Sequence, residues 1–170
     1  WFKYFIDIDS GNGPNLGGND GAYCFQLHNE NIRDFRPTLQ LSNFLFNSKL
    51  KTPRGPWDIQ LKYYIGIKVR NIKTSNQNKK IEVFKHGGFI NMFPSKKTWA
   101  ILRIPKFKFR TANLDPLHFD LWYKGLNILR DSGSYSYFYK KTLNYFQGTE
   151  SHNCVKFDYQ EPGTRLSNFL

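Results

Sequence analysis

Cysteine is scarce in this sequence. Its 170 residues hold only Cys24 and Cys154, and neither lies in a C-x-x-C pair. That leaves a zinc ribbon or a dithiol redox motif without support. The two cysteines either pair with each other or serve as small apolar residues. Long apolar runs are also missing. No segment approaches the roughly 20 residues of a membrane-spanning helix, and mean hydropathy is −0.60. The first residues, Trp1-Phe2-Lys3-Tyr4-Phe5-Ile6-Asp7, have neither the basic start nor the cleavage site of a signal peptide. Both ends read as if cut from a longer chain. Acidic residues are few: 13 against 25 Lys and Arg, a formal net charge of +12. Such a chain attracts polyanions, whether nucleic acid, acidic polysaccharide or an anionic surface. A biased coding composition rich in Lys, Asn, Ile, Phe and Tyr reads the same way. The sequence lacks an aromatic–basic nucleic-acid motif, so no nucleic-acid partner is expected.

Aromatics, by contrast, make up 18% of the chain, a share that favours strands and extended contact surfaces. Residues 10–21, from Ser10 to Gly21, form a loop rich in turn formers. It lacks the Gly-Lys-Ser/Thr ending of a phosphate-binding loop, which argues against that reading. Residues 34–46 predict a short helix, with Asp34 to cap it and Pro37 tolerated in its first turn. Phe35, Leu39 and Phe46, with Leu41, Phe44 and Leu45, give it an apolar surface. Residues 51–58 break that helix, residues 59–70 are mixed, and residues 71–80 are a polar loop or linker.

From Ile81 the texture becomes that of successive strands. They are expected over 81–85, 88–92, 98–110, 116–124, 126–131, 134–138 and 153–158. Gly87-Gly88, Pro94-Ser95, Lys124-Gly125 and Ser132-Gly133 supply turns. Short strands at this spacing predict an antiparallel β-sandwich. In Leu117-His118-Phe119-Asp120-Leu121-Trp122, the period of two puts Leu117, Phe119 and Leu121 on one face. His118, Asp120 and Trp122 share the other. Lys106, Lys108 and Arg110 alternate with Phe107 and Phe109, which suits a polyanion groove and equally an ordinary solvated face.

The stretch 112–122, Ala-Asn-Leu-Asp-Pro-Leu-His-Phe-Asp-Leu-Trp, continues into 125–137, Gly-Leu-Asn-Ile-Leu-Arg-Asp-Ser-Gly-Ser-Tyr-Ser-Tyr. Together they resemble the core motif of the heparinase II/III-like family of polysaccharide lyases. Residues 145–155, Tyr-Phe-Gln-Gly-Thr-Glu-Ser-His-Asn-Cys-Val, resemble its second hallmark. Upstream, 15–21 and 33–37 resemble the end of that family's helical domain. The order and approximate spacing of these segments match, and together they cover most of residues 10–158.

The resemblance implies an α/α toroid joined to an antiparallel β-sandwich, with residues 1–70 as the end of the helical domain and 71–170 as the sandwich. The fold class is therefore mainly β, with a short helical N-terminal segment. The resemblance also implies β-elimination on uronate-containing acidic polysaccharide and a periplasmic or exported location. A group neutralises the uronate carboxylate, a base takes the C5 proton and an acid protonates the leaving oxygen. Much of that machinery belongs to the toroid, so this chain alone is expected to be inactive.

Carried over by position, His118, Asn113 and Asp115 are the catalytic candidates. Asn113 departs from the family pattern, which has His there. An amide can hydrogen-bond a carboxylate but cannot shuttle a proton. That departure leaves open a non-catalytic carbohydrate-binding or surface-polysaccharide protein on the same fold. Asp131 and His152 match positions of a zinc site whose third ligand comes from position 113, and Asn is a poor zinc ligand. Asp131 reads equally as a turn carboxylate at Asp-Ser-Gly, and His152 as a structural histidine. Asn19, Asp20, Arg110, Trp122 and Tyr135 are the substrate-binding candidates. For these, a tight turn, a solvated face and core packing are the plain structural alternatives.

Overall fold

The computed structural model describes residues 1–17, 27–46, 52, 54–66, 80–106, 113–134 and 139–163. The chain divides into two compact units, one of residues 1–13 and 21–78, the other of residues 14–20 and 79–170.

The first unit holds two helices, α1 (Arg36–Leu45) and α2 (Asp58–Ile65). Pro37 sits in the first turn of α1 as expected. Asp34 stands just before the helix, where its carboxylate accepts the Arg36 backbone N–H at 3.0 Å. It also binds the Arg36 side chain, whose guanidinium lies 4.5 Å over the Trp57 ring. The buried face of α1 differs from the expected one. Leu39 is buried, but Phe44, Leu45 and Phe46 are exposed, and Gln40 and Asn43 take buried positions. Gln40 is accommodated because its amide donates to Asp58 of α2 at 2.6 Å. Gly66, in the left-handed region at φ 70°, closes α2.

The second unit is built on one antiparallel sheet of five strands in sequence order: β1 (Ile81–Phe84), β2 (Phe89–Ser95), β3 (Thr98–Arg103), β4 (Phe119–Tyr123) and β5 (Leu126–Leu129). Mainly β is the observed class. The β4–β5 turn is the expected Lys124-Gly125, and both residues take positive φ, 48° and 80°. That is the pair required for a two-residue hairpin whose twist matches the strands. Gly88, at φ 68°, closes the loop between β1 and β2. A Cβ there would lie 2.4 Å from the Ile104 carbonyl oxygen.

The register sorts the side chains by face. Glu82, Asn91, Ile101 and Asp120 form one row across the sheet, and Trp99 lies opposite Trp122 on the same face. Asn91, Ile101, Asp120 and both tryptophans are buried there. The other face carries two apolar rows, Val83–Ile90–Leu102–Phe119 and Ile81–Met92–Ala100–Leu121.

Several expected strands are shorter or absent. β3 ends at Arg103, and Pro105, which has no N–H to donate, follows. β4 begins only at Phe119, because Leu117 adopts φ 60° and leaves extended geometry. Leu117 is therefore 43% exposed rather than a core partner of Phe119 and Leu121. The expected strand at 153–158 is a single bridge between Phe157 and Gln160. An unexpected helix, α3 (Lys140–Gln147), follows the sheet and leads into a 3-10 turn, Thr149–Ser151. Most of the expected strand at 134–138 lies outside the described residues.

Candidate functional site

The buried face of the sheet opens onto a cluster of polar groups beside the start of β4. Backbone bonds beyond the strands place it. The Arg103 N–H donates to the His118 carbonyl at 2.9 Å, and the Leu117 N–H donates to the Arg103 carbonyl at 2.8 Å. Across from them, the Phe119 N–H donates to the Asn153 carbonyl at 3.0 Å. The segment carrying His152 is thus stitched to the strand that follows His118.

Asp131 has two distinct environments. Its Oδ1 accepts the Gly133 backbone N–H at 2.8 Å, the turn role that Asp-Ser-Gly suggests. Gly133 is at φ 76°, and a Cβ there would lie 2.2 Å from the Asn15 amide nitrogen. Asp131 Oδ2 faces inward, 3.2 Å from His152 Nδ1 and 3.8 Å from His118 Nε2. The two imidazoles meet edge to face, with centroids 5.6 Å apart. One ligand-type atom from each of His118, Asp131 and His152 lies within 4.8 Å of the others, and all three residues are buried. Among the described residues, His118 Nε2, Asp131 Oδ2 and both His152 nitrogens have no hydrogen-bond partner. Buried polar atoms without partners are costly, so such a convergence is suited to a bound cation.

Around this trio stand two further carboxylates. Asp115 is fully buried and pairs with the Arg103 guanidinium. Burial pushes its carboxyl above the ordinary range, against the pull of Arg103 and of His152. Asp120 accepts the Trp122 indole N–H at 2.5 Å and lies 3.7 Å from His118 Nε2. Cys154 is a free thiol. Burial first, then the nearby Asp115 and Asp131 carboxylates, push it up to about 12.

Asn113, Asp115, His118, Asp131 and His152 are all buried. The structure brings His118, Asp131 and His152 together and sets Asp115 within electrostatic reach of Asp131 and His152. Asn113 is buried, and its side-chain nitrogen makes no hydrogen bond among the described residues. Trp122 is also buried and stacks on Trp99 at 5.0 Å, so it packs as core rather than as an open sugar platform. Asn19, Asp20, Arg110 and Tyr135 lie outside the described residues, as do Lys108, Tyr137 and Cys24. Lys106 is exposed beyond the end of β3. Sequence reasoning missed Arg103 as the partner of Asp115, and only its alternation with Trp99 and Ile101 on one strand face hinted at it.

A profile of the family described as heparinase II/III-like, C-terminal, matches residues 76–170. No curated protein matches the chain. Among solved structures, a heparinase III shares 16% identity at a TM-score of 0.64, over 94% of this chain and 25% of that one. A heparinase III with methylated lysines shares 17% at 0.63, over 94% and 23%. The heparan sulfate lyase HepC from Pedobacter heparinus shares 20% at 0.60 or just below, over 92% and 23%. The chain thus spans about a quarter of the length of these relatives, and at such identities the likeness is one of fold.

Proposed function

The chain belongs to the heparinase II/III-like, C-terminal family, and from that premise we propose that it forms part of a polysaccharide lyase acting by β-elimination on uronate-containing acidic polysaccharide. The observation that carries this reading is the buried convergence of His118, Asp131 and His152 within the family-matching segment. Residues 1–70 are proposed as the end of the helical domain and 71–170 as the sandwich. A net charge of +12 draws an anionic polymer toward this chain. No helix among the described residues is long and apolar enough to cross a membrane. A periplasmic or exported location fits a polymer substrate.

In β-elimination the C5 proton becomes acidic only once the neighbouring carboxylate is neutralised, and base and acid must lie within hydrogen-bond reach. His118, Asn113 and Asp115 are buried, so we propose that they support one wall of the site, with the polymer held by more exposed cations. The proton-transfer groups would come from segments that the longer relatives have. This chain alone is therefore expected to bind polymer without cleaving it.

A divalent metal, zinc by donor type, is proposed on Asp131 and His152, whose inward atoms are buried and make no hydrogen bond among the described residues. Bound there, it would supply two positive charges to a cluster of three buried carboxylates, Asp115, Asp120 and Asp131, of which Asp115 pairs with the Arg103 guanidinium. A second reading, a non-catalytic carbohydrate-binding protein on the same fold, is favoured by Asn113, which cannot transfer a proton where the family has His.

Affinity electrophoresis in gels containing heparan sulfate, alginate or neutral dextran tests polymer binding. Retardation by the uronate polymers, relieved by salt, is expected. Equal migration in all three gels would remove the support for an acidic polysaccharide ligand.

A further inference from the structure

His118 stands where a third metal ligand would stand, and on distance alone it qualifies. Its Nε2 is 3.8 Å from Asp131 Oδ2, and it belongs to the group of atoms lying within 4.8 Å of one another. Its other ring nitrogen argues against ligation. His118 Nδ1 accepts the backbone N–H of Asn153 at 3.2 Å. An amide N–H only donates, so Nδ1 must present its lone pair. A neutral imidazole with its lone pair at Nδ1 carries its proton on Nε2. The Nε2 electron pair is then held in an N–H bond and cannot bind a cation.

Two alternatives fail on the same contacts. Turning the ring over would set a C–H against the Asn153 amide and leave a backbone donor unmet, at a cost of about 1–3 kcal/mol. A ligating histidine normally donates its second N–H outward to a carboxylate, carbonyl or water. Here the group on that side is itself a donor. The Nε2–H faces two carboxylates instead, Asp120 Oδ2 at 3.7 Å and Asp131 Oδ2 at 3.8 Å. The Phe119 N–H to Asn153 carbonyl bond, at 3.0 Å, runs beside the imidazole contact. His118 and Phe119 therefore tie the start of β4 to Asn153 at two adjacent points.

We infer that His118 is a positioning residue rather than a metal ligand: its Nδ1 pins Asn153, and its Nε2–H is aimed between Asp120 and Asp131. A cation at this site is then held by Asp131 and His152 without it. Only that last clause rests on the proposed metal. The ring's tautomer stands on the Asn153 contact alone.

Nitrogen-15 labelling of the histidines in the full chain tests the tautomer. Two-bond proton–nitrogen spectra in mildly alkaline buffer, with the His118 signals assigned through His118→Asn, should show His118 protonated at Nε2. Addition of zinc chloride should leave that proton in place. A ring protonated at Nδ1, or loss of the Nε2 proton when zinc is added, would overturn the inference. Calorimetry with zinc chloride gives an independent arm. His118→Asn keeps an acceptor for the Asn153 N–H and removes Nε2, so its zinc affinity should fall by no more than the roughly 100-fold that loss of a group supporting a metal site costs. A larger fall, that of a lost ligand, would overturn the inference. Failure of the wild type to bind zinc would overturn the metal reading of Asp131 and His152, and the spectra would still decide the tautomer.

Discussion

Asp131 Oδ2 and His152 Nδ1 meet at 3.2 Å in the interior of the second unit, while the other oxygen of Asp131 holds the Gly133 N–H. One carboxylate therefore has a turn to maintain and a charge to present. The two roles separate by substitution. Asp131→Asn keeps an acceptor for Gly133 and loses the charge. Asp131→Ala loses both and leaves a buried donor unmet. We expect Asp131→Ala to lower unfolding free energy by about 2–4 kcal/mol, and Asp131→Asn by less than half as much, in urea titrations. Equal losses would show that the turn contact contributes nothing.

Gly88 tests the β1–β2 hairpin. Its φ of 68° opposes a side chain, and so does the Ile104 carbonyl oxygen, which a Cβ would approach to 2.4 Å. Gly88→Ala should cost about 1–3 kcal/mol, the range for local backbone strain. An unchanged urea midpoint would mean that the β1–β2 loop does not hold this conformation in solution.

Cys154 should be a slow nucleophile. With its thiol pushed from 9.0 up to about 12, its thiolate fraction at pH 8 is about a thousandfold below that of an ordinary cysteine, and the thiolate is the reactive form. Peptide-resolved alkylation by iodoacetamide in the folded protein should show this lag and lose it in urea. Alkylation of Cys154 at the same rate in both states would contradict the burial and carboxylate field described here.

Glu161 gives a pH dependence with a definite sign. Burial works to raise its carboxyl, but the bonds it accepts from the Thr149 N–H and hydroxyl, and from Lys156, hold it below its ordinary value of 4.5. A carboxylate lowered on folding stabilises the fold above its unfolded value, and that stabilisation is lost as pH falls through the folded value. Glu161→Gln should therefore flatten the fall in thermal midpoint below about pH 4.5. A fall as steep as in wild type would show that other carboxylates carry it.

The sheet was legible where alternation and turn chemistry agree. Strands β1, β3, β4 and β5 lie within the expected segments, β2 runs past its expected end at 92 through Pro94-Ser95, and Lys124-Gly125 announced its own hairpin. The limits lay elsewhere. The break before β4 comes from a left-handed Leu117, a conformation that a leucine side chain does not advertise. Helix α3 was hidden because its Leu, Tyr and Phe residues also suit strands. The pairing of Asp131 with His152 was readable only from the family-like motif, since the two are distant in sequence. The role of Asn153 could not be read at all, because it acts on His118 through its backbone N–H, a group every residue but proline shares.

The central proposal is that this segment belongs to a β-eliminating lyase, and the most direct measurement is ultraviolet absorbance of the unsaturated uronate product. A protein that carries residues 1–170 within the full length of its relatives should be assayed on a panel of uronate-containing polysaccharides. Product from at least one polymer is expected, falling about a hundredfold or more in His152→Ala, with none from residues 1–170 alone. Binding without product on every polymer would contradict lyase function and leave a carbohydrate-binding protein on the same fold.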